Sequence, residues 1–306
     1  MKKRSIGSLQ VSQVGIGCNN FGARLDQSQT NDVVSSALES GINFFDTADI
    51  YGATKSEVML GQALAGRRSE AVIATKFGMP IDDSHFGAKP AYVKQACEDS
   101  LRRLGTDYID LYQLHYPDNT TPIADTLGAL HELVAEGKVR EIGCSNLTPD
   151  QIREAKEAAG DGPAFVSIQN QYSLLARDPE HDGVLDACEK YDMGFLPFYP
   201  LANGLLTGKY VPGQPIPEGT RLSLMPAERS VHWMSDKLMA RVGALVQYAD
   251  EVEIPILTMA FSWLLARGQV SSVIAGASSP EQVRANASAV VELPTEVLAM
   301  LDILTD

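Results

Sequence analysis

The sequence predicts a single α/β domain, residues 1–306, closed into a (β/α)8 TIM barrel with an N-terminal hairpin and additional helices. Three observations carry this. Short runs rich in Val, Ile, Phe and Tyr alternate with longer segments of helical spacing. Eight such runs occur, the number a closed barrel needs. Turn and cap residues bound them, which favours strands over buried helix. Alternating strands and helices imply parallel neighbours, because parallel strands need a crossover to join them.

An open doubly wound sheet is the alternative. "GIGCNNFG", from Gly15, comes close to a dinucleotide-binding fingerprint, but Asn20 stands where its third glycine belongs.

In chain order, "MKKRSIGSLQVSQ" (1–13) reads as a small hairpin that plugs the barrel bottom. The strands follow as "VGIGCN" from Val14, "NFFDTA" from Asn43, "AVIATK" from Ala71 and "YIDLYQLH" from Tyr108. The second four are "VREIGCSN" from Val139, "FVSIQNQY" from Phe165, "GFLPFYP" from Gly194 and "SVIAGAS" from Ser272. Among the helices, "TNDVVSSALESG" stops at Gly41 and "PAYVKQACEDSLRRLG" runs from Pro90 to Gly105. "TPDQIREAKEAAG" starts with the capping residue Thr148 and ends at Gly160. Residues 201–235 form a long Gly/Pro-containing insertion expected to lack elements of its own. Beyond it, "DKLMARVGALVQYAD", "TMAFSWLLARG" and the tail "PTEVLAMLDIL" are helical, one of the first two being additional to the barrel pattern.

The formal charge of −14 and pI near 4.8 argue against a nucleic-acid partner. The basic start is followed by a stretch too broken for a signal peptide, and no run is long enough to span a membrane. Cys18, Cys97, Cys144 and Cys188 are far apart, as expected of reduced core thiols in a cytoplasmic protein. The five histidines form no metal-binding spacing, so no metal site is expected.

Asp46 ends the second strand, Lys76 the third and His115 the fourth, while Tyr51 lies on the loop leaving the second. In a barrel these strand ends meet at one mouth. Each residue alone has an ordinary structural explanation. Together they suit proton donation by a phenol. A nearby ammonium is expected to lower the Tyr51 pKa, Asp46 to hold that ammonium, and a neutral His115 to orient a carbonyl oxygen. No activated thiol or serine accompanies them, so the nucleophile is expected to be a cofactor's hydride.

At these residues the sequence resembles the aldo-keto reductase superfamily. "GINFFDTADIYG", "ATKFG", "QLHYPD", "GKVREIGCSN", "IQNQYSLL", "PLANGLLTGKY" and "GASSPEQVRAN" carry the resemblance over essentially the whole chain. It implies that Asp46, Tyr51, Lys76 and His115 are the catalytic tetrad. The implied function is reduction of a small-molecule aldehyde or ketone with NADPH, NADH being the alternative cofactor.

The resemblance also implies cofactor contacts. Ser145, Asn146 and Gln169, together with Asp46, face the nicotinamide, and Phe198 stacks on its ring beside Tyr199. Pro200, Leu201 and Lys209 cover the pyrophosphate, and Gly276, Ser278, Gln282 and Asn286 hold the adenosine phosphate end. Many relatives place Lys or Arg around the 2′-phosphate; here Arg221 of the 201–235 loop is expected to supply that charge, with the loop covering cofactor and substrate. Loops after the first and fourth strands, the insertion and Phe86 are expected to line the substrate pocket. "FGMPIDDSHFGAKP" is expected to form a polar rim favouring hydrophilic carbonyls. Two other functions stay open. One is a sugar or alcohol dehydrogenase working oxidatively. The other is a redox-sensing subunit like the potassium-channel β-subunits, which carry Asn at the position of His115. The oligomeric state is not legible.

Overall fold

The computed structural model describes residues 1–211 and 213–306. Lys3–Ile6 (β1) and Leu9–Ser12 (β2) pair antiparallel, from Lys3 opposite Ser12 to Ile6 opposite Leu9. The barrel strands are Val14–Gly17 (β3), Phe44–Asp46 (β4), Val72–Phe77 (β5) and Ile109–Leu114 (β6), then Val139–Ser145 (β7), Ser167–Gln171 (β8), Gly194–Phe198 (β9) and Val273–Gly276 (β10). Seven lie within the runs read from the sequence, and β5 runs one residue past its run, to Phe77. They form one parallel sheet in the order β10-β3-β4-β5-β6-β7-β8-β9. Residues just before β10 help close the remaining seam. Phe195 N–H donates to the Gln269 carbonyl at 2.7 Å, and Ser271 N–H to the Phe195 carbonyl at 3.0 Å. The open doubly wound alternative is thereby excluded.

Strand side chains alternate between two faces, and here the faces divide the labour. Phe45, Ile73, Tyr112, Ile142 and Ile168 point outward into the layer shared with the helices. Phe44, Ala74, Leu111, Leu196 and Ile274 fill the barrel interior, and Ile6, Leu9 and Val11 of the hairpin pack against them from below. The hairpin is the expected bottom plug. Burying each such aliphatic or aromatic side chain is worth about 1.5–3 kcal/mol. The interior is full enough that Gly143 has no room for a side chain: a Cβ there would stand 2.5 Å from Ser167 Oγ. Two residues further along the inward faces lie Asp46, Lys76, Gln113 and Phe198, so the apolar plug itself sets the register that lifts polar groups to the mouth.

Helices diverge from the sequence reading in two places. The helix read from Thr30 begins at Gln27, because Asp26 and Gln29 cap it reciprocally: Gln29 N–H donates to Asp26 Oδ1 at 2.9 Å and Asp26 N–H to Gln29 Oε1 at 3.1 Å. The 201–235 insertion is not elementless. It carries short 3-10 turns over Ala202–Thr207 and a helix at Ala227–Trp233. Asp236–Glu251, Ile256–Leu265 and Thr295–Thr305 are helical as read. All four cysteines are buried and unpaired. No helix among the described residues is long and apolar enough to cross a membrane.

Candidate active site

A cavity of about 540 Å³ opens at the C-terminal ends of the strands. Asp46, Tyr51 and His115 line it, with Lys76 completely buried behind them. Lys76 Nζ donates to Asp46 Oδ2 at 2.6 Å and to the Thr47 carbonyl at 2.9 Å. Its ammonium stands 5.1 Å from the centroid of the Tyr51 ring, and that ring meets His115 edge-on at 5.9 Å. The four residues are therefore one cluster.

Burial pulls the Lys76 pKa down, but Asp46 and Tyr51 together outweigh it, so it ends above the ordinary lysine value and the ammonium persists. His115 is pushed down to about 3, by burial first and by Lys76 second. It is neutral at any ordinary working pH, and its Nδ1 is buried without a partner.

Tyr51 corrects the sequence reading. Lys76 does pull its pKa down, as expected, but burial raises it more and Asp46 adds to the rise, so the phenol ends above its usual value. Charge pairing was legible from residue types; the desolvation that beats it depends on the folded mouth.

The next ring of groups is equally ordered. Asp46 Oδ1 accepts from Gln169 Nε2 at 2.8 Å and from Gln113 Nε2 at 3.3 Å. Ser145 Oγ donates to the Gln169 carbonyl at 2.6 Å, and Asn146 Nδ2 to the His115 carbonyl at 3.0 Å and to Ser145 Oγ at 2.9 Å. Neither Asn146 Oδ1 nor Gln169 Oε1 accepts a hydrogen bond among the described residues. Both remain for ligand N–H groups, which a carboxamide presents.

Phe198, Tyr199, Pro200, Leu201, Lys209 and Arg221 line one wall of the cavity, and Gly276, Ser278, Gln282 and Asn286 another. Arg221 lies over the Tyr199 ring, 5.1 Å from its centroid, which ties the insertion to the end of β9. Gln282 turns inward on its own loop. Its Oε1 accepts from Ser278 N–H at 2.9 Å and Ser278 Oγ at 3.1 Å, beside the N-terminus of helix Pro280–Ser288, where Ser279 is the cap. A helix start of this kind suits an anion.

Phe86 is more than half exposed and takes no part in the cavity wall. From its loop only Met79 lines the cavity, and Asp82 accepts hydrogen bonds from Ser84 and His85 of its own turn. Several residues of the site went unread. Gln113 lies two positions before His115 on the same strand face, so simple alternation would have found it. Asn203 and Tyr210 each hold a buried polar atom without a partner, and Asn19, Asn20 and Arg24 come from the loop after β3. Six of the eight non-glycine residues with left-handed φ among those described (Ala53, Thr54, Asn146, Tyr199, Ala202 and Asn203) sit in loops at this mouth. Such strain persists only where the surroundings enforce it.

Residues 13–306 match the Aldo/keto reductase family along their whole length. The chain belongs to the aldo/keto reductase family. Within it, the uncharacterized oxidoreductase YqkF of Bacillus subtilis is 35% identical over 295 residues, covering 94% of this chain and 91% of that one. The holo form of aldo-keto reductase AKR11C1 from Bacillus halodurans superposes with a TM-score of 0.83 at 34% identity, covering 100% of this chain and 97% of its own. Glycerol dehydrogenase AKR11B4 from Gluconobacter oxydans does so at 0.84 and 29%, with 99% and 94% covered. An aldo/keto reductase is an oxidoreductase that works on small carbonyl compounds with a nicotinamide cofactor.

Proposed function

We propose that this aldo/keto reductase reduces aldehydes or ketones to alcohols with NADPH in preference to NADH, with Tyr51 as proton donor. The observation that carries the reading is the convergence of Tyr51, a charged Lys76 held by Asp46, and a His115 kept neutral near pH 7 on one cavity.

When bound, the nicotinamide dinucleotide supplies a hydride to the carbonyl carbon. The chain does the rest. His115 orients the carbonyl oxygen, and Tyr51 passes its proton to that oxygen as negative charge gathers there. Lys76 stabilises the phenolate that remains, while Asp46 keeps Lys76 in place. Ser145, Asn146 and Gln169 hold the carboxamide and Phe198 covers the ring. Pro200, Leu201 and Lys209 enclose the pyrophosphate, with the 201–235 loop folded over it. Gly276, Ser278, Gln282, Asn286 and Arg221 take the adenosine phosphates, and Arg221 is the charge that favours NADPH.

With its pKa raised, Tyr51 is protonated near neutrality, as a donor must be before turnover. Oxidation needs the phenolate and gains as pH rises. That second reading has one specific support, the likeness to the glycerol dehydrogenase. His115 in place of Asn supports an enzyme over a redox-sensing subunit.

Initial rates with NADPH and NADH over a panel of aldehydes and ketones at pH 7, and with NADP and NAD over the matching alcohols, test the proposal. Faster carbonyl reduction with NADPH is expected. Turnover confined to alcohols and NAD at pH 7 would reverse it.

A further inference from the structure

Arg24 has no role in the reaction described above. It is exposed, yet it lines the same cavity as Tyr51 and His115. Its loop is a tight knot: the Asn20 carbonyl accepts from the N–H groups of Ala23, Arg24 and Leu25, at 3.2, 2.8 and 3.0 Å. That knot is wedged between the Tyr51 loop and the loop after β10. A Cβ on Gly52 would stand 2.4 Å from the Phe21 carbonyl oxygen, and one on Gly22 would stand 2.5 Å from Lys55 Cβ. On the other side Asn20 Nδ2 reaches the Ala277 carbonyl at 3.4 Å. Glycine at 22 and 52, each with left-handed φ, is what permits this approach. The base of Arg24 is therefore fixed relative to the proton donor.

The charge of the cavity points the same way. Among the described residues its lining contains three cations, Arg24, Lys209 and Arg221, and a single carboxylate, Asp46, already taken by Lys76. Lys209 and Arg221 are placed on the cofactor phosphates in the proposed function. Arg24 forms no ion pair or side-chain hydrogen bond among the described residues, and the neighbouring Asp26 is occupied in capping its own helix. A chain of net charge −14 repels anions at long range. A rigidly based, unpartnered guanidinium at the mouth supplies local attraction against that field, and its planar fork matches an oxyanion.

We infer that Arg24 selects carbonyl substrates that carry an anionic group, a carboxylate or a phosphate, away from the reacting carbonyl. This rests on the proposed carbonyl reductase reading and names its substrate class.

The test compares kcat/KM for 4-carboxybenzaldehyde, 4-formylphenyl phosphate and the neutral 4-methylbenzaldehyde in the wild type, Arg24→Ala, Arg24→Glu and Arg24→Lys. A preference for at least one anionic aldehyde is expected in the wild type, with the better arm telling carboxylate from phosphate. It should fall about tenfold in Arg24→Ala, the scale of one charge-assisted hydrogen bond. The fall should be larger in Arg24→Glu and partly restored in Arg24→Lys. Salt should shrink the wild-type preference and not that of Arg24→Ala.

An unchanged ratio in Arg24→Ala, with all three aldehydes still reduced, would overturn the inference and leave the reductase reading standing. Weakened NADPH binding by fluorescence titration, with the ratio unchanged, would assign Arg24 to the cofactor and overturn it as well. If the wild type reduced no aldehyde, the reductase reading would fail instead. Calorimetric binding of the unreactive 4-methylbenzoate and phenyl phosphate would then decide the anion site: Arg24-dependent binding supports it, and its absence overturns it.

Discussion

The two ends of the barrel hold charge in opposite ways. At the N-terminal end it is saturated. Asp110 is buried between Arg68 at 2.6 Å and Arg140 at 2.9 Å and also accepts from Ile73 N–H, while Arg4 donates to the carbonyls of Leu265, Arg267 and Val270. At the C-terminal end several buried groups lack a partner: both carboxylate oxygens of Asp49, His115 Nδ1, Gln113 Oε1 and Asn203 Oδ1. Among the described residues the lower half contributes only the Ser167 and Ser272 hydroxyls to that set. A saturated network stabilises the fold, whereas unspent hydrogen-bonding capacity costs stability and is available to a ligand.

Four variants break or sharpen this contrast. Lys76→Met has the largest expected effect, a fall in kcat of about a thousandfold, within the range for loss of acid–base chemistry. It also leaves Asp46 buried and unpaired, so the melting temperature should drop with it. Steady-state kinetics and thermal melts at pH 7 measure both. A near-normal pH–rate profile would contradict the role given to Lys76.

Asp110→Asn should do the reverse. Breaking a buried pair of this kind costs about 3–5 kcal/mol of stability, while kcat/KM of the folded enzyme should stay within about twofold. Urea unfolding and kinetics on the same sample separate the two. A large rate effect would mean that the ends are not independent.

His115 gives a pH-dependent effect. Its folded pKa of about 3 lies below the ordinary value of 6.5, so the unfolded chain binds the extra proton first as pH falls. Stability is thus lost between about pH 6.5 and 3, amounting to about 3 kcal/mol from pH 7 to pH 4. His115→Gln should flatten that part of the urea stability curve. An unchanged slope would show that the ring is not held neutral.

Asp49 runs the other way with pH. Burial, then Glu57, raise its pKa to about 7 against the opposing pull of Arg103 and Lys76. Its folded form keeps the proton longer than the unfolded chain does, so its contribution is intact below about pH 4 and is lost as pH rises through 7. Asp49→Asn should remove that loss, raising stability at pH 8 over its effect at pH 4 by about 4 kcal/mol at most. Equal shifts at both pH values would contradict the assignment.

Strands were the most legible part of this chain, because an apolar face toward the helices and a second toward the plug leave short runs bounded by turns. Asp46, Lys76 and His115 were legible for the same reason, as polar breaks at the ends of those runs. Gln113 obeyed the same alternation and could have been read. The Asp26–Gln29 capping box also had a local signal. Arg24, Asn203 and Tyr210 had none, since their positions follow from loop contacts between residues distant in sequence, such as Gly52 with Phe21. The net direction of the Tyr51 pKa was illegible on the same ground. Lys76 can be named as a partner from the chain, but the amount of water excluded around the phenol belongs to the fold.

Tyr51→Phe, assayed for carbonyl reduction alongside a fluorescence titration with NADPH, tests proton donation at the mouth most directly. The expected outcome is a fall in turnover of about a thousandfold or more, with cofactor affinity within about twofold of the wild type. Turnover above about a tenth of the wild-type value at unchanged affinity would contradict it, because a ring without a hydroxyl has no proton to give.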